Sequence, residues 1–460
     1  MKTFIVKEPS TSALRALNYS PAIERIRRVG SRSARTLREI VRDFGPAYGS
    51  VFVRRDCDPE YGVELITQGD MFAAEPAGRV IRRDSMASPA RHLVTRGQVL
   101  IAGAGTLGEN ELYGRAILAD ERLIGKYVGP HSMSLHFDSP DDDFSLFTYA
   151  WLASPTGTEA IRSASYGTKI LGLRKDMLTS LPVPEVPGHI VTKVADLIRL
   201  CTKNRELFLR ATRAARQVIL DLPEIIEAHT ACSTRIRRSV LWGGPFPSLG
   251  AWNFAGAGSA LKLLTKSANQ TLGDYLVGKG IRYGSRSARI PCKSPFGVDF
   301  VAQRDAFLIR PIPRRVVLPD AAPSDLSEPN GSLMLAGRGT LGDGEIFGRC
   351  VQIAGPLRPL TFTGDMLRVE VSAASSNLLY AFLSTHVGVQ LVRTSAVGTK
   401  ILQIREDLLK ALPIPNVTTE QLMTVNRKID EANAARAVAA DSEAEAIRII
   451  EQEVLPQWLA

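Results

Sequence analysis

The amino-acid sequence contains one eight-residue stretch twice. Residues 101–108 read IAGAGTLG, and residues 335–342 read LAGRGTLG. Further blocks recur in the same order around both copies: GSRSAR at 30–35 and 284–289, GTKIL at 167–171 and 398–402, and Leu-Pro-x-Pro at 181–184 and 412–415. A period of roughly 230 residues is far longer than a solenoid repeat. The sequence therefore predicts a duplicated domain.

A long segment without glycine or proline follows each Leu-Pro-x-Pro block. In the first segment, residues 190–222, small and apolar residues recur at a spacing of three and four, which predicts a helix with a coiled-coil seam. This predicted seam contains Ile190, Val194, Leu197, Cys201, Phe208, Ala211, Ala215 and Val218, with Asn204 in its polar position.

The second segment, residues 417–455, predicts a similar helix. Thr418 and Gln421 have the spacing of a capping box, which marks the start of a helix. Its predicted seam begins with Leu422, Val425, Ile429 and Ala432, and we expect it to lose register before Ile447, Ile450 and Val454.

The segments before these helices have a mixed character. Short apolar runs at 98–102, 332–336 and 115–118 predict strands, whereas 147–152 and 378–383 predict helices. Each copy of the repeat is thus predicted to be an α+β body.

Composition limits the class of protein and of partner. The chain has 460 residues, with 57 lysines and arginines against 47 acidic residues, and a formal net charge of +10. An excess of basic residues favours a polyanionic partner, although a solvated basic surface is the alternative. No eighteen-residue apolar window exists and the N-terminal apolar run is short, so we expect a cytoplasmic protein without a membrane span.

Motifs for catalysis and for metal binding are missing. The five cysteines and six histidines lack metal-site spacing, and the sequence has no Walker, Gly-x-Ser-x-Gly or Asp/Glu-x-Lys motif and no Asn/Asp-Pro-Pro-Tyr tetrapeptide. Gly103-x-Gly105-x-x-Gly108 resembles a dinucleotide fingerprint, but a predicted strand follows it instead of a helix. We expect no cofactor and no catalysis; a nucleotide-binding enzyme using both glycine loops is the alternative.

The repeated glycine loops, the closing Gly-Thr-Lys and Leu-Pro-x-Pro blocks and the long helices resemble the specificity subunit of Type I restriction–modification systems. The stretch 271–276, TLGDYL, is also similar to that family's entry into a recognition domain. The resemblance covers nearly the whole chain. One departure is that the Glu-Gln pair after the second proline occurs only as Glu420-Gln421, where the first half has Gly188-His189.

The resemblance implies an α+β fold class: two mixed α/β target-recognition domains separated by two long antiparallel coiled-coil helices, with an internal pseudo-two-fold repeat. The implied segments are a first recognition domain at 1–185, a central spacer helix at 186–231, a connector at 232–267, a second recognition domain at 268–415 and a C-terminal spacer helix at 416–460.

The resemblance also implies a function and partners. Such a subunit reads a split site on double-stranded DNA and recruits methyltransferase subunits, here expected in two copies. An ATP-dependent restriction subunit joins where the system restricts. The specificity subunit of another methylation-based phage-defence complex is an open alternative.

Candidate DNA-contacting residues are those in the repeated blocks, because arginine and lysine suit phosphates and guanine edges. For the arginines the alternative is ordinary surface charge, and for Thr-Lys it is a cap beside a solvated lysine. Arg338 stands where the first copy has Ala104, a difference expected of domains that read different half-sites. The candidates are Arg32, Arg35, Thr106, Thr168, Lys169, Arg286, Arg289, Arg338, Thr340, Thr399 and Lys400.

Overall fold

A computed structural model of the chain describes residues 20–30, 35–46, 53–86, 88–108, 111–233, 250–254, 256–293, 295–322, 325–342 and 344–460. The chain divides into two compact units. Unit 1 comprises the described residues of 1–206 and 438–460, and unit 2 comprises those of 207–437. Each unit contains a β-rich body and part of each of the two long helices.

The α-helices include two that exceed thirty residues, α6 and α12. In chain order they are α1 Pro21–Gly30, α2 Leu37–Ile40, α3 Asp143–Ala153, α4 Pro155–Ser163, α5 Lys175–Thr179, α6 Gly188–Leu220, α7 Pro223–Ser233, α8 Gly256–Ser267, α9 Ala373–Leu383, α10 His386–Thr394, α11 Glu406–Lys410, α12 Thr419–Ile449 and, after a π-helical turn at Ile450–Val454, α13 Leu455–Trp458.

The strands of unit 1 are β1 Val41–Phe44, β2 Gly62–Ile66, β3 Arg79–Arg82, β4 Val99–Ala102, β5 Ala104–Gly105, β6 Ala116–Leu118, β7 Tyr127–Val128, β8 Ser132–Phe137, β9 Ser165–Tyr166 and β10 Leu171–Leu173. Those of unit 2 are β11 Gln270–Thr271, β12 Leu276–Tyr283, β13 Ile290–Pro291, β14 Val298–Val301, β15 Arg314–Val317, β16 Leu333–Ala336, β17 Arg338–Gly339, β18 Cys350–Gln352, β19 Thr361–Phe362, β20 Met366–Val371, β21 Ala396–Val397, β22 Leu402–Ile404 and β23 Pro413–Ile414. The strands and helices predicted in the two bodies are present as β4, β6, β16, α3 and α9.

The sheets of the two units have the same topology. The main sheet has the order β1-β8-β4-β6 in unit 1 and β12-β20-β16-β18 in unit 2. A second sheet has the order β5-β10-β9 in unit 1 and β17-β22-β21 in unit 2. A third, β3-β2-β7, matches β15-β14-β19, to which unit 2 adds β13. The internal repeat and the α+β class predicted from the sequence are therefore confirmed.

Helix α3 forms the centre of the core in unit 1. Its residues Ser145 to Ala153 are all buried, because apolar side chains surround the helix instead of forming one stripe. Trp151 and Phe147 pack there with Val99 of β4 and Ile198 of α6. Helix α9 has the same place in the core of unit 2.

The two long helices pack against each other within each unit, and the residues in contact show that they run antiparallel. In unit 1 the early residues Val194 and Ile198 of α6 share a core with the late residues Ala446 and Ile449 of α12. In unit 2 the late residues of α6, such as Ile219, share a core with early residues of α12. The predicted capping box is confirmed: Thr418 N–H donates to Gln421 and Gln421 N–H donates to Thr418, at 2.8 and 3.2 Å.

The predicted seam of α6 is partly wrong. The predicted residues Val194, Cys201, Phe208, Ala211 and Ala215 are buried. The buried residues Ile198, Arg205, Thr212 and Ile219 were not predicted, and with Val194, Cys201, Phe208 and Ala215 they form a regular alternation of four and three. Leu197, Asn204 and Val218 are only partly buried, and Asn204 bonds the carbonyl of Leu200 in its own helix. The apolar pattern misses this seam because Arg205 and Thr212 are polar.

The predicted loss of register in α12 is also wrong. Buried residues continue with the same alternation of four and three at Val425, Ile429, Ala432, Arg436, Ala439, Glu443, Ala446 and Ile450, and Ala435, Ser442 and Ile449 beside them are buried as well. Two charged residues, Arg436 and Glu443, occupy seam positions, and a pattern of apolar residues cannot include them. The register changes only after this, in the π-helical turn at Ile450–Val454.

One of the repeated sequence blocks is not a structural repeat. The N–H of Leu37 donates to the carbonyl of Leu181, and that of Leu272 to Leu412, at 2.9 and 2.8 Å. Thr36 and Thr271, just before those leucines, both form capping boxes. Thr271, at the start of the β-rich body of unit 2, therefore corresponds to Thr36 in unit 1. The block GSRSAR precedes this position in unit 1 and follows it in unit 2, so the expected equivalence of Arg32 and Arg35 with Arg286 and Arg289 is wrong.

The connector is partly described. Helix α6 ends at Leu220, close to Pro223, which begins α7. Helix α8 follows at Gly256–Ser267 and packs on α10. In unit 1, α1 packs on α4 in the corresponding place, and Trp458 of α13 packs edge-on against Trp151 at 5.9 Å between ring centroids. Across the described ranges, no helix is long and apolar enough to cross a lipid bilayer.

Candidate nucleic-acid interface

The two repeated loops of each unit lie side by side. Strand β5 ends at Gly105, which pairs with Leu171 at the start of β10. In unit 2, Gly339 pairs with Leu402 in the same way. The loop after the first strand is thereby placed next to the Gly-Thr-Lys-Ile loop. We call residues 106–108 with 167–170 the first tip, and residues 340–342 with 398–401 the second tip.

The structure thus brings together several of the predicted DNA-contacting residues. Thr106 shares the first tip with Thr168 and Lys169, and Thr340 shares the second tip with Thr399 and Lys400. All six side chains are exposed. They offer hydroxyl and ammonium donors to a ligand in solution, as phosphate oxygens require.

Aliphatic side chains are exposed beside these polar groups. Ile170 is 66% exposed and its counterpart Ile401 is 68% exposed. The turns before them need glycine, since Gly167 and Gly398 have φ values of 95° and 117°. A Cβ on Gly167 would lie 2.6 Å from the carbonyl oxygen of Ile170. The tips are therefore tight turns of defined shape.

The arginines of the GSRSAR blocks have different environments. Arg32 lies outside the described residues. The guanidinium of Arg35 stacks 4.0 Å from the ring centroid of Phe144. The guanidinium of Arg289 lies 4.8 Å from the ring centroid of Phe300, and its Nη2 donates to the Thr363 hydroxyl at 3.3 Å.

In unit 2, Arg286 and Arg289 line a cleft of about 210 Å³. Asp325 and Asp365 lie on its wall, and Asp365 also binds Arg338 at 2.9 Å. The structure therefore connects all three predicted arginines of this unit through one cleft, although two of them have no equivalent in the GSRSAR block of unit 1.

One acidic group of the cleft, Asp325, is held in its charged form. Burial acts to raise the pKa of Asp325, but hydrogen bonds from Ser285 and the charge of Arg368 outweigh it, so the pKa lies below its ordinary value. Beside the cleft, burial raises the pKa of the Tyr283 hydroxyl, which stays neutral and donates to backbone carbonyls. The cleft itself presents arginine side chains as donors and aspartate side chains as acceptors, the groups that base edges pair with.

Sequence reasoning missed a group of exposed arginines in the third sheet of unit 1. Arg79 and Arg82 lie on β3, next to Arg83, and Arg54 and Arg55 run alongside. Hydrogen bonds from Arg79 lower the pKa of Asp56, and those from Arg82 lower the pKa of Asp84. The sequence signal that could have found them is the adjacent arginine pairs Arg54-Arg55 and Arg82-Arg83, which concentrate positive charge locally.

The context expected of a dinucleotide site is missing. The Gly103-x-Gly105-x-x-Gly108 loop leads to strands β5 and β6, and the described residues of 104–142 contain no α-helix. Among the described residues there is likewise no group of three or more histidine, cysteine or acidic side chains that could hold a metal ion.

The fold is that of a two-unit α+β protein with an internal repeat and one exposed tip in each unit. No protein-family model matches the chain. No curated protein matches it either.

Solved structures of similar chains include the S subunit of a Type I restriction–modification system from M. genitalium, which is 13% identical. The match covers 93% of this chain and 95% of that chain, with a TM-score of 0.33. The HsdS subunit from Thermoanaerobacter tengcongensis is 15% identical over 92% of this chain and 95% of its own, with a TM-score of 0.26. A chain from a study of Type I restriction–modification complex assembly is 14% identical, over 92% and 96%, with a TM-score of 0.27.

Proposed function

We propose that this protein is the specificity subunit of a DNA methyltransferase complex. It binds a bipartite sequence on double-stranded DNA in the cytoplasm, directs methyltransferase subunits to that site and catalyses no reaction itself. The observation that carries the proposal is the repeat of one sheet topology with the same exposed Thr-Lys tip in both units.

The shared and the differing residues support two different roles. Lys169 and Lys400 are identical in both units, so they suit the phosphate backbone, which is the same at every sequence. Arg338 and Ala104 differ at equivalent places, so this position suits recognition of different bases. Two units that share their backbone contacts and differ in such side chains fit a split recognition site.

The domain arrangement and the partners are part of the proposal. The recognition domains span 1–185 and 268–415, the spacer helices span 186–231 and 416–460, and 232–267 is the connector. The partners are two methyltransferase subunits and, where the system restricts, an ATP-dependent restriction subunit. Exchange of residues 268–415 for those of a relative should change one half of the DNA site and leave the other unchanged.

A selection experiment tests the DNA-binding function. The full-length chain is incubated with a random double-stranded DNA library, and the bound molecules are sequenced. We expect a motif of two short parts with a fixed gap, bound more weakly as salt increases because counterions are released from DNA. Binding without sequence enrichment, or binding that salt does not weaken, would contradict the proposal.

Two alternatives have distinct outcomes. A nucleotide-binding enzyme using the glycine loops would bind ATP or NAD in calorimetry, which the proposed function does not predict. A specificity subunit from another methylation-based defence complex would show the same DNA selection. Loss of methylation without loss of restriction on gene deletion would separate that complex from a restriction system.

A further inference from the structure

Position 338 of unit 2 and position 104 of unit 1 have the same backbone hydrogen bonds but different side chains. The side-chain amide of Gln303 bonds the carbonyl and the N–H of Arg338, at 2.8 and 3.4 Å. In unit 1, Gln68 bonds the carbonyl and the N–H of Ala104 in the same way. Both residues begin the short strand that leads into the tip. The local frame is therefore shared, and only the side chain differs.

Two neighbours hold the side chain of Arg338. Its Nη1 lies 2.9 Å from a carboxylate oxygen of Asp365, and its guanidinium lies 5.1 Å from the ring centroid of Tyr283. The Tyr283 hydroxyl is 2.8 Å from the carbonyl oxygen of Gly337 and 2.9 Å from that of Ile404. The aromatic ring is thus tied to the base of the second tip, and the guanidinium is confined between the ring and the carboxylate.

The arrangement is accessible from solvent. The side chain of Arg338 is 21% exposed and that of Asp365 is 43% exposed. Thr340, two residues further on, is exposed on the tip. A ligand that covers the second tip would meet the edge of this guanidinium.

Unit 1 has different residues in the same places. The N–H of Gly103 donates to the carbonyl of His131, as that of Gly337 donates to Asp365, at 2.8 and 3.2 Å. His131 is therefore the counterpart of Asp365, and Ala104 is the counterpart of Arg338. A methyl group cannot donate a hydrogen bond, so Ala104 cannot make the hydrogen bonds to a base edge that Arg338 offers.

We propose that Arg338 recognises a guanine in the half-site bound by unit 2, and that Asp365 and Tyr283 are its positioning residues. This inference rests on the proposed function. Arginine binding the O6 and N7 atoms of guanine is the most frequent specific contact in the major groove. A guanidinium held between a carboxylate and an aromatic ring loses less side-chain freedom on binding, and a supported reader discriminates better.

The test is the same library selection with variants of the full-length chain. We expect the wild-type motif to contain a guanine in one half that Arg338→Ala no longer selects, with the relative affinity for guanine falling about tenfold. Arg338→Lys keeps the charge but not the planar fork, so it should lose the same preference. Asp365→Asn should weaken the preference at the same position, and the other half of the motif should stay unchanged.

A matched control is Arg405→Ala. Arg405 is an exposed arginine of unit 2 paired with Asp407, and Arg174 pairs with Asp176 in the same way in unit 1. A pair common to both units cannot distinguish half-sites, so this variant should leave the motif intact.

The possible failures are separable. If Arg338→Ala weakens all sequences equally, or if Arg338→Lys binds with the wild-type motif, Arg338 contacts phosphate and the inference is overturned while DNA binding stands. If the wild-type chain enriches no motif, both the proposed function and this inference are overturned.

Discussion

The helix seams of the two units contain a buried arginine at equivalent positions, but this arginine has different contacts in each unit. Aligned on the Leu-Pro-x-Pro blocks, Arg205 of unit 1 corresponds to Arg436 of unit 2, and both are buried. In unit 1, Arg205 donates to Glu443 at 2.7 Å, and Tyr149 donates to the other carboxylate oxygen. In unit 2, the counterpart of Glu443 is Thr212, whose hydroxyl finds no hydrogen-bond partner among the described residues.

Unit 2 accommodates its arginine by other contacts. The Nη2 of Arg436 donates to the carbonyl of Leu308 at 3.0 Å, and its guanidinium lies 5.6 Å from the ring centroid of Phe208. Ala73 of unit 1 corresponds to Leu308, since each directly follows an Asp-x-Phe segment. The carbonyl of Ala73 accepts a hydrogen bond from the buried Arg122, which is paired with Asp120. At this seam position, the scaffold thus places a carboxylate beside the buried arginine of unit 1, whereas a carbonyl and an aromatic ring contact that of unit 2.

Burial also shifts the pKa values of groups at this ion pair. Burial acts to lower the pKa of Arg205, but the charge of Glu443 outweighs it, so the guanidinium remains charged. Burial raises the pKa of Cys201 to about 12, so this thiol is not a reactive thiolate. The seam of unit 1 therefore contains a polar cluster with a structural role, formed by Arg205, Glu443 and Tyr149.

The largest effect is expected from breaking the ion pair. Glu443→Gln leaves the Arg205 charge buried without a countercharge, which should lower the free energy of unfolding of unit 1 by about 3–5 kcal/mol. Urea denaturation measures it through the fluorescence of Trp151 and Trp458, with Trp242 and Trp252 replaced by phenylalanine. The matched change in unit 2, Thr212→Val, should cost less than about 1 kcal/mol.

A double variant sharpens this prediction. Replacing both Arg205 and Glu443 by methionine removes the charges together and should restore most of the stability. If Glu443→Gln and Thr212→Val have equal effects, the two seams are energetically equivalent and the comparison fails.

A smaller effect is expected from the arginine of unit 2. Arg436→Met removes a carbonyl hydrogen bond and a cation–π contact, so it should cost about 1–2 kcal/mol. Arg205→Met should cost more, because Glu443 stays buried. Hydrogen–deuterium exchange of peptides from each unit measures both variants, and a larger loss of protection for Arg436→Met would reverse our interpretation.

The tips should behave alike where the seams differ. Lys169→Ala and Lys400→Ala each remove one proposed phosphate contact, so each should reduce the slope of log affinity against log salt by about one. Affinity measurements from 50 to 200 mM salt on the selected site and on unrelated DNA test this. Lys203→Ala on α6, outside both tips, is the control. A change in base preference instead of slope would show that these lysines read sequence.

The smallest effect concerns pH in unit 1. Burial lowers the pKa of His136 below its ordinary value of 6.5, against the charge of Asp43 and together with that of Arg42. The folded state thus favours the neutral ring: its stabilising contribution is complete above pH 6.5 and declines as the pH falls below that value. Unfolding of unit 1 at pH 7.5 and 5.5 should show a decline that His136→Gln reduces. An equal decline in the variant would assign it to other groups.

Several features of the fold could be predicted from local sequence. The strands at Val99–Ala102 and Leu333–Ala336 are continuous apolar runs, and the capping box at Thr418 needs only residues three apart. The positions of the tips could also be predicted, because two identical blocks must occupy equivalent places in a duplicated domain. The arginines around β3 gave a signal that motif reasoning passed over.

Other features misled sequence reasoning for a physical reason. GSRSAR occurs twice, but the backbone bonds of Leu37 and Leu272 show that its copies lie on opposite sides of the domain entry. Structural equivalence is defined by the backbone hydrogen bonds, and six identical residues in the sequence do not establish it. For the same reason, the ion pair between Arg338 and Asp365 could not be predicted from the sequence, because it forms only when the folded chain brings β17 and the residue before β20 together.

The sequence by itself determined the duplication, the α+β class, the two long helices and the position of the repeated tips, because these depend on local periodicity and on blocks that occur twice. Only the tertiary structure decided which charged residues lie inside the helix seams. A pattern of polar and apolar residues takes account only of the charge of Arg205 itself, and therefore predicts that Arg205 lies outside the core. Its partner Glu443 is 238 residues away in the chain, and only the folded unit brings the two charges to 2.7 Å, where each compensates for the burial of the other.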